Sequence, residues 1–320
     1  MSESRAPVVS VTIVLYNSAG VVGECLRSLA PDADAGFADV IVVDNDSPDD
    51  SAEVASQALP GVNLITSGVN QGFAHGANQA LPHVRGRYWM LLNPDVVVPP
   101  GALRKLVSWM DDRPQIGIAS PEIVDLLLGA SSAGRASPSI ARTLLEMSRL
   151  HLLLPRATRG RLLRGAYWHG GDQLDAGWVP GTAMIARREV VEQIGPLADD
   201  LFLYGEDLEW CWRARKAGWR IGVCSSVTVT HQASTSAVET FGETEARRRL
   251  AVGVQDAVRK IRGDRYASLY MRTEALALKL DAIHPGRQPE SRAHSRAMYT
   301  AWNHAARTAK NRRARDESRA

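Results

Sequence analysis

Cysteine is scarce in this chain: Cys25, Cys211 and Cys224 are the only three in 320 residues. None has the spacing of a metal site, and an odd, sparse count argues against a disulfide scaffold and for a reducing compartment. Three packed thiols are the expectation. No apolar run approaches the roughly 18 residues that a membrane-spanning helix needs. The opening Met1-Ser2-Glu3-Ser4-Arg5 lacks the apolar core of a leader peptide. A cytoplasmic protein is therefore expected, at most peripheral at the inner face of a membrane. The patterns GxGxxG and GxxxxGK(S/T) are also missing, which argues against a nicotinamide enzyme and a P-loop ATPase.

What is present is ordinary in bulk and uneven in detail. Hydrophobic residues make up 45% and charged residues 23% of the chain, as in soluble globular proteins. The length allows one large α/β domain with an appendage, or two smaller domains. The net charge of +3 hides a basic end. Arg287, Arg292, Arg296, Arg307, Lys310, Arg312, Arg313, Arg315 and Arg319 are opposed there by Glu290, Asp316 and Glu317 alone. A second basic stretch sets Arg142, Arg149, Arg156, Arg159, Arg161 and Arg164 against the single acid Glu146. The basic end can stay solvated or touch anionic lipid, with lipid ahead of nucleic acid, and the second stretch can lie on a membrane surface or be a surface helix packed on the sheet.

The first half alternates strand and helix. Apolar runs at 8–15, 40–43, 62–65 and 88–92 read as strands, with helices expected over 21–29, 50–59 and 72–81. The uninterrupted β-branched run Val40-Ile41-Val42-Val43 is of the kind buried in a parallel sheet. A mixed, mainly parallel α/β sheet flanked by helices follows. Residues 131–139 read as a loop and 140–154 as an amphipathic helix. Strands are expected at 183–186, 221–223 and 227–230, and helices over 189–194 and 207–217. Beyond Phe241 the pattern is helical to about 282, where His284-Pro285-Gly286 breaks it. This divides the chain into a main domain over 1–240, with halves 8–120 and 121–240, a helical extension over 241–285, and a basic tail over 286–320. The helices past Phe241 could equally form a homodimer surface.

Two short acidic motifs end apolar runs. Asn93-Pro94-Asp95 follows 88–92, and Gly205-Glu206-Asp207 follows Leu201-Phe202-Leu203-Tyr204. A strand that stops at a carboxylate places it at the sheet's carboxyl edge, where open α/β folds bind ligands. Asp95 offers a hard oxygen where a diphosphate would lie, and Mg²⁺ or Mn²⁺ needs few protein ligands beside phosphate and water. His231, at the end of 227–230, is a second candidate ligand. Asp44 ends another strand and can accept a pyrimidine N–H, with Thr12, Tyr16 and Asn17 along the same crevice, although Asx turns also explain such an aspartate. Small residues in the run from Asn70 through Gly72, Phe73 and Gly76 to Asn78 let a helix start approach a phosphate or ribose. The loop Gly177-Trp178-Val179-Pro180-Gly181-Thr182 and the aromatic surround of Phe202, Tyr204, Trp210 and Trp212 suit a sugar ring.

Taken in order, Val14-Leu15-Tyr16-Asn17, Val43-Asp44-Asn45-Asp46-Ser47, Asn70-Gln71-Gly72-Phe73, Asn93-Pro94-Asp95, Gly181-Thr182-Ala183, Gly205-Glu206-Asp207 and His231 resemble the family 2 glycosyltransferases with a GT-A fold. The likeness spans about residues 8–235. The Asn-Pro-Asp form and the Gly-Trp-Val-Pro-Gly stretch look most like bacterial dTDP-rhamnose rhamnosyltransferases. This resemblance implies an inverting transfer from a nucleoside diphosphate to an acceptor hydroxyl in cell-surface glycan synthesis. It implies Asp44 and Asn45 near the base, Asn93 and Asp95 near the diphosphate, Asp95 and His231 on Mg²⁺ or Mn²⁺, and Asp207 as general base beside Glu206. Trp178, Gly181, Thr182, Trp210 and Arg213 fall on the acceptor or sugar side. Donors other than dTDP-rhamnose, UDP-sugars first, stay open, as do a polyprenyl-linked glycan, a polysaccharide or a small metabolite as acceptor. Where relatives carry a carboxylate at the head of the metal motif this chain has Asn93, which weakens cation binding. A sugar nucleotidyltransferase would want a basic triphosphate loop after the first strand, yet no Lys or Arg precedes Arg27 there. A non-catalytic nucleotide- or lipid-binding scaffold would have no need of both Asp95 and Asp207.

Overall fold

The computed structural model describes residues 6–126, 130–132, 134–163, 171–232, 241–286 and 288–317. Arg164, Arg287 and Arg319 of the basic stretches lie outside them. The strands are β1 (Val9–Leu15), β2 (Ala38–Asp44), β3 (Asn63–Thr66), β4 (Tyr88–Leu92), β5 (Val96–Val97), β6 (Ile116–Asp125), β7 (Ala130–Ser132), β8 (Gln173–Ala176), β9 (Ala183–Arg187) and β10 (Arg220–His231). The helices are α1 (Ala19–Asp34), α2 (Ser51–Ala58), α3 (Phe73–Gln79), α4 (Ala102–Asp111), α5 (Ile140–Met147), α6 (Arg156–Leu163), α7 (Arg188–Ile194), α8 (Glu206–Lys216), α9 (Glu243–Arg262), α10 (Asp264–Ile283) and α11 (Pro289–Glu317).

One sheet runs in the order β3–β2–β1–β4–β9–β6–β10–β5. Its first four strands are parallel, and the β-branched runs of β1 and β2 are buried on both faces, as is usual in such sheets. β9 then enters antiparallel between β4 and β6, and β10 lies parallel to β6. The mixed, mainly parallel sheet expected from the sequence is present. Leu15, Asp44 and Thr66 stand level across β1, β2 and β3, so these strands end on one edge. Leu92 pairs with Ala183, and His231 with Val96 and Asp125, which brings the later motifs to that edge as well.

The core explains several elements. Trp89 and Trp210 meet edge to face with ring centroids 5.7 Å apart, and each indole N–H is satisfied, by Thr12 Oγ1 at 2.9 Å and by the Gly195 carbonyl at 3.0 Å. α8 starts with Glu206, Asp207 and Glu209 and ends with Arg213, Arg215 and Lys216, both complementing its dipole. α4 and β6 go beyond the elements expected from the sequence. α4 buries Leu103, Leu106, Val107 and Met110 on one face, and β6 follows it directly. The two expected strands near 221–230 are one strand, β10, with a register irregularity between Cys224 and Thr228. Ser131 and Ser132, expected in a loop, belong to β7 and pair with β6. The amphipathic helix expected over 140–154 stops at Met147 and gives way to a 3₁₀ turn over Leu150–Leu153. The extension past Phe241 is not one helix, because Gly263 at φ 83° divides α9 from α10. The basic tail is helical over α11, which packs with α9 and α10 through Ala251, Met271, Ala275, Ala301, Trp302 and Ala305.

Candidate active site

A cleft of about 280 Å³ opens at the carboxyl edge, and Tyr16, Asn45, Asn70, Gly72, Phe73, Asn93, Asp95, Thr182, Tyr204 and His231 line it. A larger hollow of about 690 Å³ lies at the opposite, amino ends of β1–β3 and holds none of these groups. The carboxyl-edge cleft is the candidate site.

Each wall has a local cause. Gly72 takes φ 98°, and a Cβ there would stand 2.0 Å from the Phe202 carbonyl oxygen, so only glycine lets the two loops touch. That carbonyl accepts the Phe73 N–H at 3.0 Å, which fixes the start of α3 against the loop before α8. Asn45 Nδ2 donates to Asn70 Oδ1 at 3.0 Å and to the Gly72 carbonyl at 3.1 Å. Its buried Oδ1 has no hydrogen-bond partner among the described residues. The Thr182 carbonyl accepts the Asn93 N–H at 2.9 Å, tying the β4 end to the loop before β9.

Asp95 is 2% exposed, and its Oδ2 lies 2.9 Å from His231 Nε2. The other imidazole nitrogen, Nδ1, lies 3.2 Å from Asp125 Oδ2. Burial pulls the His231 imidazolium down, but the hydrogen bonds and charges of Asp95 and Asp125 outweigh it and hold its pKa above the usual value. Asp125 was not a candidate from the sequence. Its signal is the β6–β10 register, which places it directly beside His231.

Asp207 lies just behind the cleft, bonded to Gly181, whose neighbour Thr182 lines it. Its Oδ2 accepts the Gly181 N–H at 3.1 Å and its Oδ1 the Leu208 N–H at 2.7 Å. Burial raises its pKa, while those backbone donors and the Arg135 charge hold it down. Arg135, which lies over the Trp178 ring with its guanidinium carbon 5.4 Å from the centroid, is a second residue the sequence did not signal. Glu206 is buried with an Oε2 that has no partner among the described residues. Burial first, and the charge of Asp207 second, push its pKa up to about 8. The folded protein therefore keeps a proton that the unfolded chain gives up above its ordinary 4.5. Stability should fall as pH rises through the window from 4.5 to about 8, and Glu206→Gln should flatten that slope in thermal unfolding. An unchanged slope in the variant would refute the buried acid.

Other candidates serve the scaffold. Thr12 accepts the Trp89 indole N–H and Trp210 is fully buried, so neither reaches the cleft. Asn78 spends both ends of its amide on the Leu197 backbone, at 2.9 and 3.0 Å. Arg213 is held by Glu209, by the Pro196 carbonyl at 2.7 Å and by the Ile194 carbonyl. Asp44 differs from these: at the carboxyl end of β2 its Oδ1 accepts the Ser47 N–H at 3.2 Å, three residues on, and it stays a candidate for reading the base. Asn17 takes φ 53° in the turn after β1. The three cysteines are buried and free.

Carboxylates and amides gathered at the carboxyl edge of such a sheet suit a nucleotide ligand, and comparison with known proteins gives the class. The profile of Glycosyl transferase family group 2 matches residues 90–283, more than half of the chain, and that of Glycosyl transferase family 2 matches residues 10–128. The chain belongs to the family 2 glycosyltransferases. It is 27% identical to an N-acetylglucosaminyl-diphospho-decaprenol L-rhamnosyltransferase of Mycobacterium tuberculosis, over 72% of this chain and 76% of that protein. It is likewise 27% identical to a low-salt glycan biosynthesis hexosyltransferase of Haloferax volcanii, over 69% of this chain and 66% of that one. Among solved structures, a mannosyltransferase from Pyrobaculum calidifontis in complex with GDP-Man and Mn²⁺ shares the fold at a TM-score of 0.60 and 18% identity, covering 95% of this chain and 87% of its own. The protein is thus a glycosyltransferase of glycan synthesis. Among the described residues no helix is long and apolar enough to cross a membrane.

Proposed function

We propose that this enzyme transfers L-rhamnose, with inversion, from dTDP-rhamnose to a hydroxyl of a polyprenyl-linked glycan. The observation that carries the reading is the pairing of Asp95 with His231 in the wall of the cleft, while Asp207 is bonded to Gly181, the residue before the cleft-lining Thr182. The mycobacterial rhamnosyltransferase supports the donor sugar and the lipid-linked acceptor.

The donor set suits a divalent cation. Asp95 gives a hard oxygen and His231 an imidazole nitrogen, with Asp125 behind the ring where an orienting carboxylate belongs. Among the described residues no closed group of three or more His, Cys, Asp or Glu donors exists, so phosphate oxygens and water must complete the shell. Mg²⁺ or Mn²⁺ held there would draw off charge as the nucleoside diphosphate leaves. Replacing Asp125 by Ala should weaken Mn²⁺ binding in the presence of dTDP about tenfold or more, as loss of an outer-shell partner does. Calorimetry checks this, and unaltered affinity would remove Asp125 from the site.

The chain's own groups do the rest. Asp44 would read the pyrimidine, and Asn45 Oδ1 offers a buried acceptor for a donor-nucleotide hydroxyl. Glu206, its pKa raised to about 8 by burial and by the charge of Asp207, holds a proton beside that residue. Asp207 takes the acceptor's proton as its oxygen attacks the anomeric carbon. Trp178, Gly181 and Thr182 frame the sugar. The functional division into 1–240, 241–285 and 286–320 belongs to the same proposal, as does peripheral contact of the 142–164 stretch with anionic membrane on the cytoplasmic side. The test is nucleoside-diphosphate release from a panel of dTDP- and UDP-sugars with Mg²⁺, Mn²⁺ or chelator. Turnover confined to dTDP-rhamnose and lost in Asp95→Ala supports the reading. Turnover confined to a UDP-sugar overturns the donor assignment.

A further inference from the structure

We propose that the outer face of α10 docks the enzyme on an anionic lipid bilayer. It rests, for its partner, on the membrane-borne acceptor proposed above. Two series at seven-residue spacing run along that face: Arg265, Arg272 and Lys279, and beside them Leu269, Leu276 and Ile283. All six side chains are exposed. Leu269 is 54% exposed, Leu276 48% and Ile283 65%, and Leu280 adds a fourth apolar group at 46%.

This inverts what water selects for. An exposed helix face normally carries mixed charges, and its apolar residues turn inward. Here the inward face is already filled, since Met271 and Ala275 pack with Ala251, Ala301 and Trp302. The acids of the helix lie elsewhere. Asp264 is its first residue, Asp281 is half-buried, and the Glu274 carboxylate accepts the Thr143 hydroxyl of α5. The stripe is therefore cationic and apolar with no acid on it. α5 lies along its flank, where the Tyr266 hydroxyl accepts the Ile140 N–H at 3.3 Å. There Leu144 is 50% exposed, and in the turn that follows Leu153 is 82% exposed, close in sequence to the exposed Arg149.

Charge complementarity selects the occupant. Leucines entering the headgroup boundary, with arginine and lysine stems alongside and their charges at the phosphates, describe an interfacial helix. A second copy fits less well. A two-fold contact opposes a surface with itself, and this one would set like charges against each other. A coiled-coil seam also needs apolar residues at both core positions of each heptad, whereas 265, 272 and 279 are cations. Nucleic acid would take up the cations and leave the leucines in water.

The experiment is flotation of the full chain with vesicles of phosphatidylcholine alone or mixed with phosphatidylglycerol, without donor or acceptor. Binding should appear on the anionic vesicles and weaken with salt. Reversing the charges in Arg265→Glu/Arg272→Glu/Lys279→Glu should lower partitioning roughly a hundredfold. Leu269→Ser/Leu276→Ser/Ile283→Ser should also abolish flotation. Both variants replace exposed side chains, so their melting and their transfer to a water-soluble acceptor should match the parent. Absence of vesicle binding, or binding unchanged in both variants, overturns the docking face while leaving the transferase reading standing. A dimer by sedimentation that the serine variant dissociates, without vesicle binding, overturns it in favour of a second copy. Vesicle binding without turnover of any donor would instead count against the reaction and not the surface.

Discussion

Asp207→Asn should lower turnover about a thousandfold while leaving donor affinity within about twofold, because a positioned base is worth roughly that much and makes no donor contact. The geometry adds a second consequence. Both carboxylate oxygens accept backbone N–H groups, Gly181 at 3.1 Å and Leu208 at 2.7 Å. An amide cannot satisfy both, since either orientation turns an NH₂ toward an N–H. The variant should therefore also lose about 1–3 kcal/mol of stability at the start of α8. Turnover, donor calorimetry and thermal unfolding separate the two effects. Equal loss of turnover and donor binding would sink Asp207 as the base.

Gly253→Val should damage the active site from a helix that never enters it. A Cβ at Gly253 would stand 2.2 Å from the Tyr204 carbonyl oxygen, and one at Gly205 would stand 2.4 Å from the Gly253 carbonyl oxygen. Two backbones touch there, and the touching turn, with Tyr204 at φ 68° and Gly205 at φ 95°, launches α8 with Glu206 and Asp207. A valine must push α9 off that turn. Overpacking of this kind costs about 1–3 kcal/mol, and because the strained atoms are backbone the upper end is expected. Turnover should fall more than donor affinity, since Asp95 and Asn45 lie on other walls. Thermal unfolding and steady-state kinetics check it, and a variant that melts and turns over like the parent would remove α9 from the scaffold of the site.

The two variants bear differently on what the chain's letters reveal. The β1–β4 strands were legible because each is a short, mostly apolar or β-branched stretch ended by a polar turn, a pattern confined to a few neighbours. Asp95, Asp207 and His231 were legible for the same reason, as carboxylates or a histidine closing such runs. Thr12, Asn78, Trp210 and Arg213 read as site residues because their types suit a sugar nucleotide, but the tertiary structure spends them on Trp89, Leu197, Gly195 and the Ile194–Pro196 turn. A side chain's partner across the fold leaves no mark beside it in the sequence. Asp125 shows the converse. Nothing around it signals chemistry, and it becomes His231's partner only because β6 and β10 pair in one register across a separation of 106 residues.

Fold class and reaction family were thus determined by the sequence alone, since hydrophobic periodicity and strand-ending motifs are local properties. Only the tertiary structure decided that β9 enters between β4 and β6, that Asp95 meets His231, and that Gly253 seats the turn carrying Asp207. These are long-range contacts, selected by packing and register once the chain has closed on itself, and no window of neighbouring residues encodes them.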